Sequence, residues 1–152
     1  MNGLTLAGAS DLVDAALRSA RRLALRPLAV VVLDAGGHDV ALKREDGCPF
    51  LRTRIARGKA WGALGMGLDS STLGARAERN PRFFAALAAL TEGQVIPNPG
   101  GLLLHAADGA MLGAIGISGD TAERDEAAAR EALRELGWPP GGTAPDPGAP
   151  AR

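Results

Sequence analysis

At 152 residues the chain is long enough for one domain with a real core and short for two. Its 17 Lys and Arg balance 17 Asp and Glu, which argues against nucleic acid or an anionic membrane as a bulk partner. A single cysteine excludes an internal disulfide and a multi-thiolate metal site, and the lack of tyrosine excludes a catalytic tyrosine on this chain.

In chain order, Thr5 is placed to cap a helix whose apolar stripe is Leu6, Ala9, Leu12, Val13, Ala16, Leu17, Ala20 and Leu23. Arg18, Arg21, Arg22 and Arg26 gather near its carbonyl end, where cations are favoured, and Pro27 stops it. Leu28 to Asp34 is a continuous apolar run and reads as a buried strand. Gly36-Gly37 turns it, and Val40 to Arg44 returns as its partner. Leu51 to Leu64 reads as a helix despite Gly58, Gly62 and Gly65, each costing about 1 kcal/mol relative to alanine. That stripe of small residues implies close approach by another backbone, a subunit or a flat ligand.

A short helix is expected from Asp69 or Ser70 to Ala77. A second follows Asn80-Pro81, with Phe83, Phe84, Leu87 and Leu90 as its apolar face. Leu102 to His105 and Met111 to Ile117 form a hairpin around Asp108-Gly109, the second strand carrying Gly113, Ala114 and Gly116. The last helix spans about Thr121 to Leu136, with Asp120 and Glu123 spaced as a capping-box-like pair and Ala129, Leu133 and Leu136 buried. Its first N–H groups, after Ser118-Gly119-Asp120, offer a place for a ligand's anionic group. Residues 1–138 are read as one domain, and 139–152, rich in Pro, Gly and Ala, as a tail without a core of its own.

The opening residues carry no basic segment followed by an apolar run, and no stretch reaches the roughly 18 apolar residues of a membrane span. The expectation is a cytoplasmic protein without membrane partners. Charge is unevenly spread: residues 1–82 hold 13 Lys and Arg against 8 Asp and Glu, residues 83–152 hold 4 against 9. Solvated helix faces of opposite sign, or head-to-tail subunit contacts, would both produce that pattern.

The run from Asn98-Pro99-Gly100-Gly101 through Gly113-Ala114-Ile115-Gly116-Ile117-Ser118-Gly119 to Asp125-Glu126 resembles the GlcG/HbpS-like family, which includes the C-terminal domain of the PduO corrinoid adenosyltransferases. Val31 to His38, Arg44-Glu45-Asp46-Gly47 and Lys59-Ala60 match its upstream blocks, so the resemblance runs from about Leu4 to Leu136. It implies a profilin-like α+β domain, a mainly antiparallel sheet with packed helices, that self-associates to a dimer or more. Several members bind haem or related tetrapyrroles. Two positions depart from the family: Cys48 stands where alanine is usual, and Trp61-Gly62 replaces a common hydroxyl residue.

A haem iron would draw its axial ligand from His38, His105, Cys48, Met66 and Met111. Cys48-Pro49, read as an exposed loop, resembles a haem-responsive Cys-Pro motif; its alternative is a small loop thiol. His38 is a turn residue or a ligand, and His105 a half-exposed strand residue or a ligand. Lys59 is either a receiver of a propionate or carboxylate or a helix-surface lysine paired with an acid. Asp46, Asp125 and Glu126 are the acids of interest, the latter two explicable by the helix dipole alone. The ligand crevice is expected near Gly100-Gly101, Lys59 and the Gly58/Gly62 face, for a small-molecule ligand. A cofactor-independent enzyme acting on a small carboxylate there, with Lys59 binding and Asp46 or His105 moving a proton, is the second reading. The catalytic residues are unassigned, no metal site is expected, and the glycines of 113–119 do not form a dinucleotide-binding pattern.

Overall fold

Alternation along the two hairpins decides the architecture of the computed structural model, which describes residues 3–139. Four strands, β1 (Ala29–Asp34), β2 (Asp39–Arg44), β3 (Gly101–His105) and β4 (Met111–Ser118), form one antiparallel sheet in the order β2-β1-β4-β3. Val30, Val32, Leu102, Leu104, Ile115 and Ile117 point to one face, Val31, Leu33, Leu103 and Ala114 to the other. The central strand β1 is buried on both faces, which is why its sequence is apolar without alternation.

The first face is covered by α1 (Leu6–Arg22) and α5 (Ala122–Glu135). The second is covered by α2 (Leu51–Met66), through Ala56, Ala60 and Ala63. Thr5 caps α1 as expected, its hydroxyl accepting from Gly8 N at 3.0 Å. The stripe of α1 is buried at Ala9, Leu12, Val13, Ala16 and Ala20 and half-buried at Leu17, while Leu6 at its start is 65% exposed. Arg18 and Arg22 of α1 pair with Glu135 and Glu131 of α5, so the uneven charge is partly matched inside one chain.

Two further helices, α3 (Ser70–Arg79) and α4 (Pro81–Leu90), join α2 to β3. Asp69 and Ser70 cap the open edge of β3 rather than α3: Gly101 N donates to Ser70 Oγ at 2.7 Å and Leu103 N to Asp69 Oδ1 at 2.9 Å. Those are alternate outward N–H groups of an edge strand, which would otherwise be unpaired. Asn80 makes no side-chain cap, and no residue of α4 is buried, so its apolar face does not pack into this chain as the pattern suggests. The cap of α5 is Thr121, which accepts from Arg124 N; Asp120 accepts instead from Arg26 N at 2.8 Å and Thr121 N at 2.8 Å.

This is the profilin-like α+β domain with an antiparallel sheet and packed helices that the resemblance implies. Of the expected tail, residues 140–152 lie outside the described residues. Among the described residues no helix is long and apolar enough to cross a membrane.

Candidate functional site

Lys59 is only 3% exposed, so it is not the helix-surface lysine that was one of its two sequence readings. Its Nζ donates to Ile117 O at 2.9 Å and to Asp125 Oδ2 at 3.3 Å. The Asp125 carboxylate is fully buried and accepts from Gly119 N at 3.2 Å and Asp120 N at 2.9 Å. The anion place expected before the last helix is therefore filled by the chain's own carboxylate. Burial pushes the Lys59 ammonium below the usual lysine range, and Asp125 opposes the shift.

The glycines around Lys59 are needed for that packing. Gly100, at φ +128°, would place a Cβ 2.7 Å from Ile117 O and 2.9 Å from Lys59 Nζ; one on Gly101 would stand 2.4 Å from Lys59 O. A Cβ on Gly116 would overlap Ala56 O, and those on Gly58 and Gly62 would meet Ile96 and Val95. Close backbone approach is what the glycines serve, and the approaching groups belong to this chain. The structure brings Lys59, Gly100 and Gly101 together in a buried cluster, whereas Gly58 is packed against Gln94 and Ile96. Lys59 is committed inward, to Ile117 O and the Asp125 carboxylate.

The other sequence-derived residues are dispersed. Cys48 is not in an exposed loop as expected: it is 2% exposed, its Sγ is 3.7 Å from Pro49 O, and burial pushes the thiol up. Asp46 is exposed and lines a groove with Arg21, Lys43 and Arg44 on the β2 side. His105 is half-buried at the end of β3, with Nδ1 buried and without a hydrogen-bond partner, as is Asp69 Oδ2. Burial holds Asp69 above the usual carboxylate range, against the bond from Leu103 N. His38 is exposed in the β1–β2 turn, Nδ1 facing Asp34 Oδ1 at 3.3 Å, and lines a depression at the sheet's end with Met111.

Anticipated from sequence only through Gly58, which lines it, is an open cleft of about 410 Å³ along the outer face of α2. Leu51, Ile55, Trp61 and Ile96 supply its apolar lining, Arg54 and Arg57 two guanidinium groups, and Glu92 and Gln94 its far rim. Arg57 is gripped by Asp39 through two bonds of 2.9 and 2.8 Å, which raise its pKa, while Arg54 is exposed. A Cβ on Gly37 would lie 3.0 Å from the Trp61 indole, so the β1–β2 turn buttresses this ring. The signal in the sequence was the replacement of a small hydroxyl residue by Trp61 and the bulky Val95-Ile96 opposite two glycines. A larger groove between α3 and residues 97–99, about 620 Å³, is lined by Glu78 and Glu123 and by no cation. Among the described residues no three His, Cys, Asp or Glu side chains gather to hold a metal ion.

No curated protein sequence matches the chain. Solved structures do. A PduOC–haem complex is similar at 26% identity and TM-score 0.82, over 92% of this chain and 99% of that one. A double mutant of Streptomyces reticuli HbpS is similar at 26% identity and TM-score 0.76, over 90% and 88%. Klebsiella pneumoniae ORFY is similar at 25% identity and TM-score 0.79, over 88% and 90%. The family model described as "Haem degrading protein HbpS-like" matches residues 4–134, and with the fold it implies now in place, this chain belongs to the HbpS-like family.

Proposed function

We propose that the chain binds haem or a related planar tetrapyrrole in the cleft on the outer face of α2, as a carrier, sensor or scavenger. The observation that carries this reading is the pairing there of an apolar lining, Leu51, Ile55, Trp61 and Ile96, with the exposed Arg54 at one side, beside Arg57, whose fork Asp39 holds. A tetrapyrrole presents the complementary pattern, an apolar plane with carboxylates on one edge, and guanidinium forks suit carboxylates. The similarity to a PduOC–haem complex supports the ligand class. Lys59, Gly100 and Gly101 enter this reading as the scaffold beneath α2, the buried ties that fix the helix on the sheet.

The donor set fits the macrocycle and its carboxylates but offers no iron ligand, since none of His38, His105, Cys48, Met66 or Met111 lines the cleft. Binding through the ring face and the propionates is therefore indifferent to iron. Parallel titrations with haem and with iron-free protoporphyrin, read by absorbance and tryptophan emission, test this. Saturable one-to-one binding of both is expected, with affinities within about threefold. Arg54→Glu combined with Ile96→Asp weakens both at least about tenfold, roughly 1.4 kcal/mol. Binding of haem alone, abolished by His38→Ala, Cys48→Ser or His105→Ala, would overturn the assignment to this cleft.

A further inference from the structure

His38 and Met111 line one depression of about 520 Å³ at an end of the sheet, and neither has a part in the α2 cleft. The strand β1 lies between β2 and β4, and Asp34 at its end pairs with Gly113. Side chains alternate along a strand, so Asp34 stands on the face of Val30 and Val32, and Met111 on the same face with Ile115 and Ile117. Gly113, between Asp34 and Met111, contributes no side chain there. His38 follows the Gly36-Gly37 turn on the other side of β1, with Gly3 and Leu4 completing the lining.

The turn orients the imidazole. Asp34 Oδ1 accepts from Gly36 N at 2.9 Å and His38 N at 3.0 Å, and His38 Nδ1 faces the same oxygen at 3.3 Å. The His38 backbone N–H, first among these, holds the Asp34 carboxyl below the usual carboxylate range. An ionised carboxylate there favours the tautomer with its proton on Nδ1 and leaves the Nε2 lone pair outward. A Cβ on Gly36 would lie 2.9 Å from Cε1 and Nδ1 of the ring, so glycine at 36 lets the imidazole fold over the turn. The His38 side chain is 81% exposed and Met111 36%, so packing consumes neither donor.

We infer that His38 Nε2 and Met111 Sδ hold a copper(I) ion, with Asp34 as the residue that positions the imidazole. A thioether is a soft donor that selects copper(I), and imidazole suits copper as well. A carboxylate behind a ligating imidazole fixes its orientation and raises its basicity. Zinc takes four N, S or O ligands, and among the described residues no three His, Cys, Asp or Glu side chains gather to supply them. Two protein donors at a solvent-facing edge leave the ion open to a further ligand, which suits exchange rather than enclosure. The inference stands whatever the α2 cleft binds.

Anaerobic equilibrium dialysis of the full chain against copper(I), kept in solution by acetonitrile, tests it. One equivalent is expected to bind, in the wild type and in Cys48→Ser alike. His38→Ala and Met111→Leu each weaken binding at least about tenfold with unchanged far-UV circular dichroism, because both side chains lie at the surface. X-ray absorption of the loaded wild type shows one sulfur and one imidazole at copper, and Met111→Leu loses the sulfur. Asp34→Asn, which keeps an acceptor for the turn, weakens binding about tenfold while both donors remain in that spectrum. Absence of one-to-one binding overturns the inference, as does binding insensitive to His38→Ala and Met111→Leu, or lost in Cys48→Ser. Displacement of the copper by equimolar zinc(II) overturns the assignment to a soft ion, and an Asp34→Asn protein with wild-type affinity overturns the role of Asp34.

Discussion

Lys59 and Asp125 form a sealed ion pair, 3% and 1% exposed at the side chain, joining α2 to the entry of α5. Removing one member of such a pair strands the other charge without water, at a cost of about 3–5 kcal/mol. Lys59→Met is therefore expected to lower unfolding free energy by that order in urea melts. Lys59→Met with Asp125→Leu should cost clearly less than the two single changes together, because no charge is left buried alone. A Lys59→Met protein as stable as wild type would deny the pair its structural role. Glycine divides into two kinds on the same physical scale. A Cβ on Gly116 would overlap Ala56 O, so Gly116→Ala is expected to destabilise by at least about 1–3 kcal/mol. Gly65, also beside α2's sequence stripe, has nothing within 4 Å, and Gly65→Ala is expected to stabilise by about 0.5–1 kcal/mol. Melting curves of the two variants should move in opposite directions.

At the scale of elements, the 3.6-residue and two-residue periods were enough to find α1, α5 and both hairpins, since each buries one continuous apolar face. They do not say what covers that face. The stripe of Gly58 and Gly62 was legible as a place of close approach, but the approaching group is the segment at Val95 and Ile96, distant in sequence and without a periodic signature. The face of α4 was equally legible and turns out to be only partly covered within the chain, at Phe84 and Leu87. Asp120 looked like a helix cap by spacing; Thr121 takes that place because Asp120 is drawn to the Arg26 N–H across the fold. The role of Asp69 was invisible for a similar reason, since its partner is the edge of β3. Burial raises its pKa, so its ionised form opposes folding as pH rises above its ordinary value of 3.8. Asp69→Asn, which retains an acceptor for Leu103 N, is expected to be neutral or stabilising at pH 7, whereas Asp69→Ala should cost about 1–3 kcal/mol. Urea melts at pH 7 compare the two, and equal losses would show that the carboxylate charge itself is required.

For the whole molecule, acid stability follows carboxylates shifted in the opposite direction from Asp69. Asp34 is lowered first by the His38 backbone N–H, Asp120 first by the Arg26 backbone N–H, and Glu135 first by the Arg18 side chain. Their contributions are complete above the ordinary values of 3.8 and 4.5 and are lost as pH falls through the lowered folded values. The family was readable from the glycine-rich hairpin and its upstream blocks, because those residues make the backbone-on-backbone contacts that define this fold. The candidate site was legible only through Gly58, because Lys59, Gly100 and Gly101 are packed beneath α2. The open surface lies on α2's other side, where Trp61, Ile96, Arg54 and Arg57 come from separate segments. Tetrapyrrole binding in the α2 cleft is tested most directly by the paired titration of the purified full chain with haem and with iron-free protoporphyrin. Saturable, one-to-one binding of both, lost together in Arg54→Glu with Ile96→Asp, is the predicted result. Tight binding of haem only, dependent on His38, Cys48 or His105 and unaffected by changes at Arg54 and Ile96, would contradict it.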